Sequence, residues 1–242
     1  MANTNVRLSL ALDACSLTIP QPDSLIVNAN DTADYSKLGN ASCIQWFKPT
    51  CDRLIEIGFK TFQDFSSVNN FALVEITRSK PQSLGLIAQA FDTLSKNSIL
   101  MIDGNKTDGI ESHLKTLRKL FNIEGVISKA HGKIFWIKKS TRPQILDQWL
   151  KGLEPTKIDH NYSTKAGIFS ANHIDKASAL LLENLPNHLS GNGADLGAGW
   201  GYLSSELLKS NDKINSICLR EADWNALECA KFNITDKRAA FE

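Results

Sequence analysis

The sequence predicts a mixed α/β protein assembled from strand–helix units, and three observations carry that reading. Short apolar runs of strand length alternate with amphipathic runs of helix length along most of the 242 residues. One strand candidate near residue 195 enters a loop with glycines at alternate positions, Gly197, Gly199 and Gly201, and a helix candidate follows. The composition is 42% hydrophobic and 22% charged with a net charge of +1. That balance excludes a disordered chain and a global basic field, while leaving room for a local basic face.

The elements follow in order. The opening MANTNVRLSLALDACSL has a single arginine, and Asp13 interrupts its apolar run, so it makes a poor signal peptide. DSLIVNAN (23–30) and FALVEI (71–76) are strand candidates. PQSLGLIAQAFDTLSK (81–96) places Leu84, Ile87, Ala88, Phe91 and Leu94 on one helical face. SILMIDG (98–104) reads as a buried strand, and 108–122 as a second amphipathic helix with Ile110, Leu114, Leu117 and Phe121 on one side. GVISKAHGKIFWIKK (125–139) reads as two strands turning at His131-Gly132. A helix starting at Pro143 and stopping at Gly152 leads into the loop TKIDHNYSTKAG. The domain boundary is placed there, giving domains 1–155 and 156–242.

The second block opens with a helix capped by Asp175, whose face is Ala177, Leu180, Leu181 and Leu185. The strand GAD, the glycine loop and the helix YLSSELLKS follow. Then come the strand INSICLR (214–220) and a helix behind Asp223. RAAFE is where a third strand would begin.

In a βαβ unit the loop after the first strand lets a ligand approach the backbone at a helix N-terminus, and side chains there would block it. The dinucleotide pattern is GxGxxG; here the third glycine comes one residue early and Tyr202 takes its place. The spacing DLGAGWG instead resembles motif I of the class I S-adenosylmethionine methyltransferases. A ribose binder needs a carboxylate about 20 residues on. Glu221 stands 20 residues beyond Gly201, directly after SICLR.

AGIFSANHIDKASALLLENLP, GADLGAGWGYLS and READWNALECAKFNI together resemble the catalytic domain of the ribosomal RNA small-subunit methyltransferase C family. Its members are guanine-N2 methyltransferases acting on small-subunit ribosomal RNA. The segment with Gly167, Phe169, Ser170, Asp175 and Ser178 matches the family stretch that precedes motif I and helps cover the cofactor. The resemblance is best over 71–139 and 166–235. It implies that domain 1–155 is a degenerate methyltransferase-like domain for RNA recognition, without cofactor glycines. It implies that 156–242 is the first part of a Rossmann-like domain binding S-adenosyl-L-methionine. Gly197, Gly199 and Gly201 would seat that cofactor, Glu221 would hold its ribose, and Asp195 would lie near its methionine amino group or hold the loop. Phe169 and Ser170 would form the lid side.

The family's Asn-Pro-Pro-aromatic motif, which holds the target amino group, is absent, so no catalytic residue is assigned. The chain is therefore expected to be the N-terminal part of a longer protein, or to have a partner covering the open edge of its first catalytic strand. The implied partner is small-subunit ribosomal RNA or the assembled subunit. Two alternatives stay open: a non-enzymatic RNA-binding or assembly module with a vestigial cofactor half, and an NAD-dependent oxidoreductase.

The remaining residues exclude more than they assign. Arg78, Lys80 and Lys106 sit at predicted strand ends where they could meet phosphates or simply be solvated. Lys138, Lys139 and Arg142, near Trp136, could form an RNA-facing patch but read rather as the charged protection of an edge strand. His113, His131, His160, His173 and His188 lack metal-ligand spacing, so no metal is expected. Trp200 would fill the site if it faced inward and is expected to pack sideways or toward the first domain. Five scattered cysteines without CxxC spacing fit a reducing, cytoplasmic location, and no run approaches the roughly 18 apolar residues of a membrane span.

Overall fold

Strands whose successive residues are all apolar need a layer on each face, and the first half of the chain builds both. The computed structural model describes residues 3–15, 23–65, 68–159 and 162–242, so His160 lies outside the described residues. The chain divides into two compact units, Met1–Leu153 and Glu154–Glu242.

The first unit runs α1 (Asn3–Ala14), β1 (Ser24–Val27), β2 (Ser42–Ile44), α2 (Lys48–Glu56), β3 (Lys60–Phe62), β4 (Asn69–Glu75), α3 (Lys80–Thr93), β5 (Leu94–Asn105), α4 (Ile110–Leu117), β6 (Gly125–Lys129), β7 (Gly132–Lys138) and α5 (Ile145–Lys151). Its sheet has the order β3-β2-β1-β4-β5-β7-β6, parallel except that β7 is antiparallel to both neighbours. Successive strand residues enter opposite layers. Leu25 and Val27, Ala72 and Val74, Leu100 and Ile102, and Phe135 and Ile137 join the core under α3, α4 and α5. Ile26, Phe71, Leu73, Met101, Ile134 and Trp136 join the other core with Leu8, Ala11 and Leu12 of α1. Burial on both faces is what a parallel sheet requires, and it explains the near-continuous apolar strands.

Local chemistry sets the element ends. Ser79 accepts a hydrogen bond from the Gln82 amide and caps α3, whose first turn holds Pro81. The β6–β7 turn falls one residue before the expected position: Ala130 and His131 both adopt left-handed φ, 47° and 55°. The hairpin takes that twist to match its strands. Helix α4 stops at Leu117, short of the expected 122, with Phe121 still in the core beyond it. Strand β7 lies between β5 and β6, so the reading of Lys138 and Lys139 as edge-strand charges is corrected. Lys139 donates instead to the carbonyls of Asp92 and Leu94, and Arg142 pairs with Asp92 and Asp147. These bonds tie the segment after β7 to the end of α3.

The second unit runs β8 (Thr156–Lys157), β9 (Ser163–Thr164), α6 (Lys176–Asn184), β10 (Gly191–Leu196), α7 (Tyr202–Ser210), β11 (Ile214–Arg220), α8 (Trp224–Asn233) and β12 (Ala239–Phe241). Strands β10, β11 and β12 form a parallel sheet in that order. The expected loop after residue 155 contains the small antiparallel pair β8–β9. Asp175 caps α6, its carboxylate accepting from the Ser178 amide and hydroxyl. The apolar face foreseen for α6 is not covered: no residue of α6 is buried, and Leu180 and Leu181 are 61% and 49% exposed. Among the described residues β10 pairs with β11 alone.

Candidate cofactor site

Beyond β10 the chain cannot continue straight, because it must turn into α7 over the end of β11. The amides of Gly197 and Ala198 both donate to the Arg220 carbonyl, at 2.8 and 3.2 Å. Gly197, Gly199 and Gly201 all take positive φ, 76°, 56° and 86°, where a side chain is strained. A Cβ at Gly197 or Gly199 would point into open space, whereas one at Gly201 would lie 2.8 Å from Ile234 and 3.1 Å from Ala230. The three glycines thus divide their work. The first two leave the loop bare on its open side, and the third lets α7 start against α8.

Glu221 closes the loop from the next strand. One carboxylate oxygen accepts from the Gly199 amide at 2.7 Å and the other from the Asp223 amide at 2.8 Å. A carboxylate offers about four acceptor positions, so each oxygen keeps a lone pair for a ligand. Asp223 caps α8 by accepting from the Asn225 amide, and burial raises its carboxyl above the usual range. Asp195, on β10, accepts from the Ser204 hydroxyl at 2.6 Å, which ties the strand to the first turn of α7.

A cleft of about 60 Å³ lies beside the loop, bounded by Phe169, Ser170, Asp195, Gly197, Gly199 and Tyr202 among others. Ser170 holds a left-handed φ of 51° and donates its hydroxyl to the His173 carbonyl. Phe169 is 69% exposed at the rim. Of the residues singled out from sequence, Gly201 and Glu221 do not line this cleft. Gly201 faces α8, and Glu221 braces the loop from beyond β11. Trp200 borders the cleft and packs in a cluster with Tyr162, Ile168, Ala226 and Cys229, its ring 5.1 Å from that of Tyr162.

Two supports went unread in the sequence. Asn233, at the end of α8, donates to the carbonyls of Trp200 and Ser163 and accepts from the Ser163 amide. It fastens the glycine loop to β9. Tyr162 donates to Glu206 and receives a hydrogen bond from Lys209. Neither contact has a sequence signal, because each joins residues more than 30 positions apart. Among the described residues no cluster of three His, Cys, Asp or Glu side chains could hold a metal, and no helix is long and apolar enough to cross a membrane.

Residues 159–242 match the methyltransferase small domain family. The ribosomal RNA small subunit methyltransferase C of Shewanella oneidensis is 30% identical over 171 residues, 69% of this chain and 49% of that protein. The chain is a relative of the ribosomal RNA small subunit methyltransferase C proteins. The homologue of that name from Acinetobacter baumannii is 26% identical over 207 residues, 84% of this chain and 57% of its own length. The chain spans about half the length of the curated methyltransferase C relatives it matches. A solved T. thermophilus 16S rRNA N2 G1207 methyltransferase, in complex with AdoMet and guanosine, superposes with a TM-score of 0.74. It covers 93% of this chain and 66% of its own at 17% identity, and so speaks for the fold: Rossmann-like, of the methyltransferase kind.

Proposed function

We propose that this chain carries the cofactor-binding part of an S-adenosylmethionine-dependent methyltransferase acting on the exocyclic N2 of a guanine in small-subunit ribosomal RNA, in the cytoplasm. The observation that carries the reading is the pairing of a bare glycine loop with Glu221. The loop is held open by Gly197 and Gly199, and the acid already grips it while retaining acceptor capacity. A ligand with two adjacent hydroxyls suits that carboxylate, and a neutral backbone surface suits a ligand with no phosphate to be held.

When bound, the cofactor supplies a methyl group on a sulfonium, whose charge drives transfer without much acid–base help. The chain's own residues bind and orient. Gly197 and Gly199 give close approach, Glu221 accepts from the ribose, and Asp195, steadied by Ser204, offers its second oxygen to an ammonium. Phe169 and Ser170 stand at the rim, where an apolar ring excludes water from a docked ligand. Holding donor and acceptor in line is itself a large part of such a barrier. No Asn-Pro occurs in the 242 residues, so no residue is assigned to hold the target amine.

Calorimetric titration with S-adenosylhomocysteine, with NAD in parallel, tests the reading. Binding of the first alone is expected. Glu221→Ala should weaken it by about 1.5–3 kcal/mol, the loss of charged hydrogen bonds. Binding of NAD alone, or an affinity unchanged by Glu221→Ala, would overturn the assignment.

A further inference from the structure

The first unit holds a cavity of about 430 Å³ that the function proposed for the second unit does not use. It opens at the carboxyl ends of β1, β4 and β5, where the strand order reverses between β1 and β4. Open α/β sheets take their ligands at such a crevice. Four carboxylates line it, those of Asp31, Glu75, Asp103 and Asp108. Three of them face an arginine: Asp103 takes two hydrogen bonds from Arg7 (2.6 and 2.7 Å), Asp31 one from Arg53 (2.7 Å), and Asp108 lies 3.6 Å from Arg78.

Glu75 is different. It is only 8% exposed, and among the described residues it has no cation within ion-pair distance. One oxygen accepts the Tyr35 hydroxyl, and the other takes no hydrogen bond among the described residues. Beside it Asn28 gives its side-chain amide proton to the Glu75 carbonyl, which leaves its amide oxygen as a further acceptor. The cavity therefore offers acceptors, one of them on a largely buried carboxylate, and lacks one positive charge. Its arginines are all engaged, which argues against an anionic ligand.

We propose that this cavity binds a small organic monocation with N–H donors, a primary ammonium or a guanidinium, through the Glu75 carboxylate. The volume suits several heavy atoms rather than a bare ion, and no three carboxylate, imidazole or thiol groups among the described residues converge as metal ligands. The proposal is independent of the function assigned to the glycine loop. Without a ligand, a proton fills the charge vacancy: burial pushes the Glu75 acid up to about 8, and Asp103 adds to the shift while Tyr35 and Arg7 oppose it. Cys43 also senses Glu75, and Asp31 and Asp108 share the cavity wall. A bound cation has to displace that proton, so binding should tighten as pH rises toward 8 and then level off.

The test titrates the full chain with butylammonium and butylguanidinium chlorides at constant ionic strength, with 1-butanol as the uncharged control. Calorimetry would follow binding from about pH 6.5 to about pH 8.5. Saturable binding of at least one cation is expected, with none of the alcohol. The cation that binds tells ammonium from guanidinium. Glu75→Gln preserves shape and the oxygen facing Tyr35, and should weaken binding on the order of tenfold. No saturable binding to the wild-type chain, or an affinity unchanged by Glu75→Gln, would overturn the proposal. Should that variant fail to fold, the wild-type pH trend decides, and a flat trend has the same consequence.

Discussion

Strands β1 and β10 open equivalent units by the same device, yet β1 is buried at all four positions and β10 at none. The amides of Asn28 and Ala29 both donate to the Ile44 carbonyl, just as those of Gly197 and Ala198 donate to the Arg220 carbonyl. Asn28 even copies the left-handed φ of Gly197, 59° against 76°. The strand registers then align Ile26 with Asp195, and Gln45 with Glu221 as the residue following the second strand. In the first unit the position that matches Glu221 is spent on structure. Gln45 uses its amide group on the Ala29 carbonyl and on the Trp46 and Phe47 amides. The second unit keeps the acids and the bare loop but has a three-stranded sheet where the first has seven. Among the described residues, one unit has seven strands and no glycine loop after β1, and the other has the glycine loop and three strands. The larger sheet buries β1 at every position, whereas the smaller one leaves every residue of β10 at least partly exposed.

The sharpest way to break the seven-stranded unit is to remove Arg7, which anchors α1 to the end of β5. Arg7 and Asp103 are each 1% exposed. Arg7→Ala strands a buried carboxylate and should cost about 3–5 kcal/mol in urea unfolding. The second unit, monitored through Trp200 and Trp224 fluorescence, should keep its own transition.

A smaller effect comes from His113, buried in α4 with no partner for Nδ1 among the described residues. Burial, with Lys80 adding to it, lowers its pKa from 6.5 to about 4. The unfolded chain therefore binds the proton first. Stability is intact above pH 6.5 and is lost as pH falls through that window, by about 3 kcal/mol at most. Unfolding midpoints over the window should show this slope for wild type, and His113→Leu should flatten it. An unchanged slope would place the acid sensitivity elsewhere.

The smallest expected change sharpens the other half of the comparison. Asp175→Ala removes the cap of α6, a helix with no buried residue, and should cost about 1 kcal/mol. Circular dichroism should show the loss in the second unit alone. A larger loss would mean that α6 is held by more than its cap.

The elements that sequence reading located best are those with a strong local signal. INSICLR coincides with β11 and WNALECAKFN with α8, and Asp175 and Asp223 cap their helices as their position before an apolar run requires. Helix α1 and strands β2 and β3 went unread, because three-residue strands and a helix of low amphipathic contrast have little periodicity to show; α2 went unread although its residues are amphipathic. The glycine loop and Glu221 were legible because backbone strain and fixed strand length tie them to residue type and spacing. What the sequence determined alone was therefore the alternation of elements and the place of the loop. Only the tertiary structure decided that Gly201 serves helix packing and that Glu221 grips the loop from behind. It also decided that Trp200 turns into its own cluster and that Asn233 fastens the loop to β9. Those outcomes depend on which distant residues arrive at each backbone position, and a contact between residues far apart in the chain leaves no periodic trace in either segment.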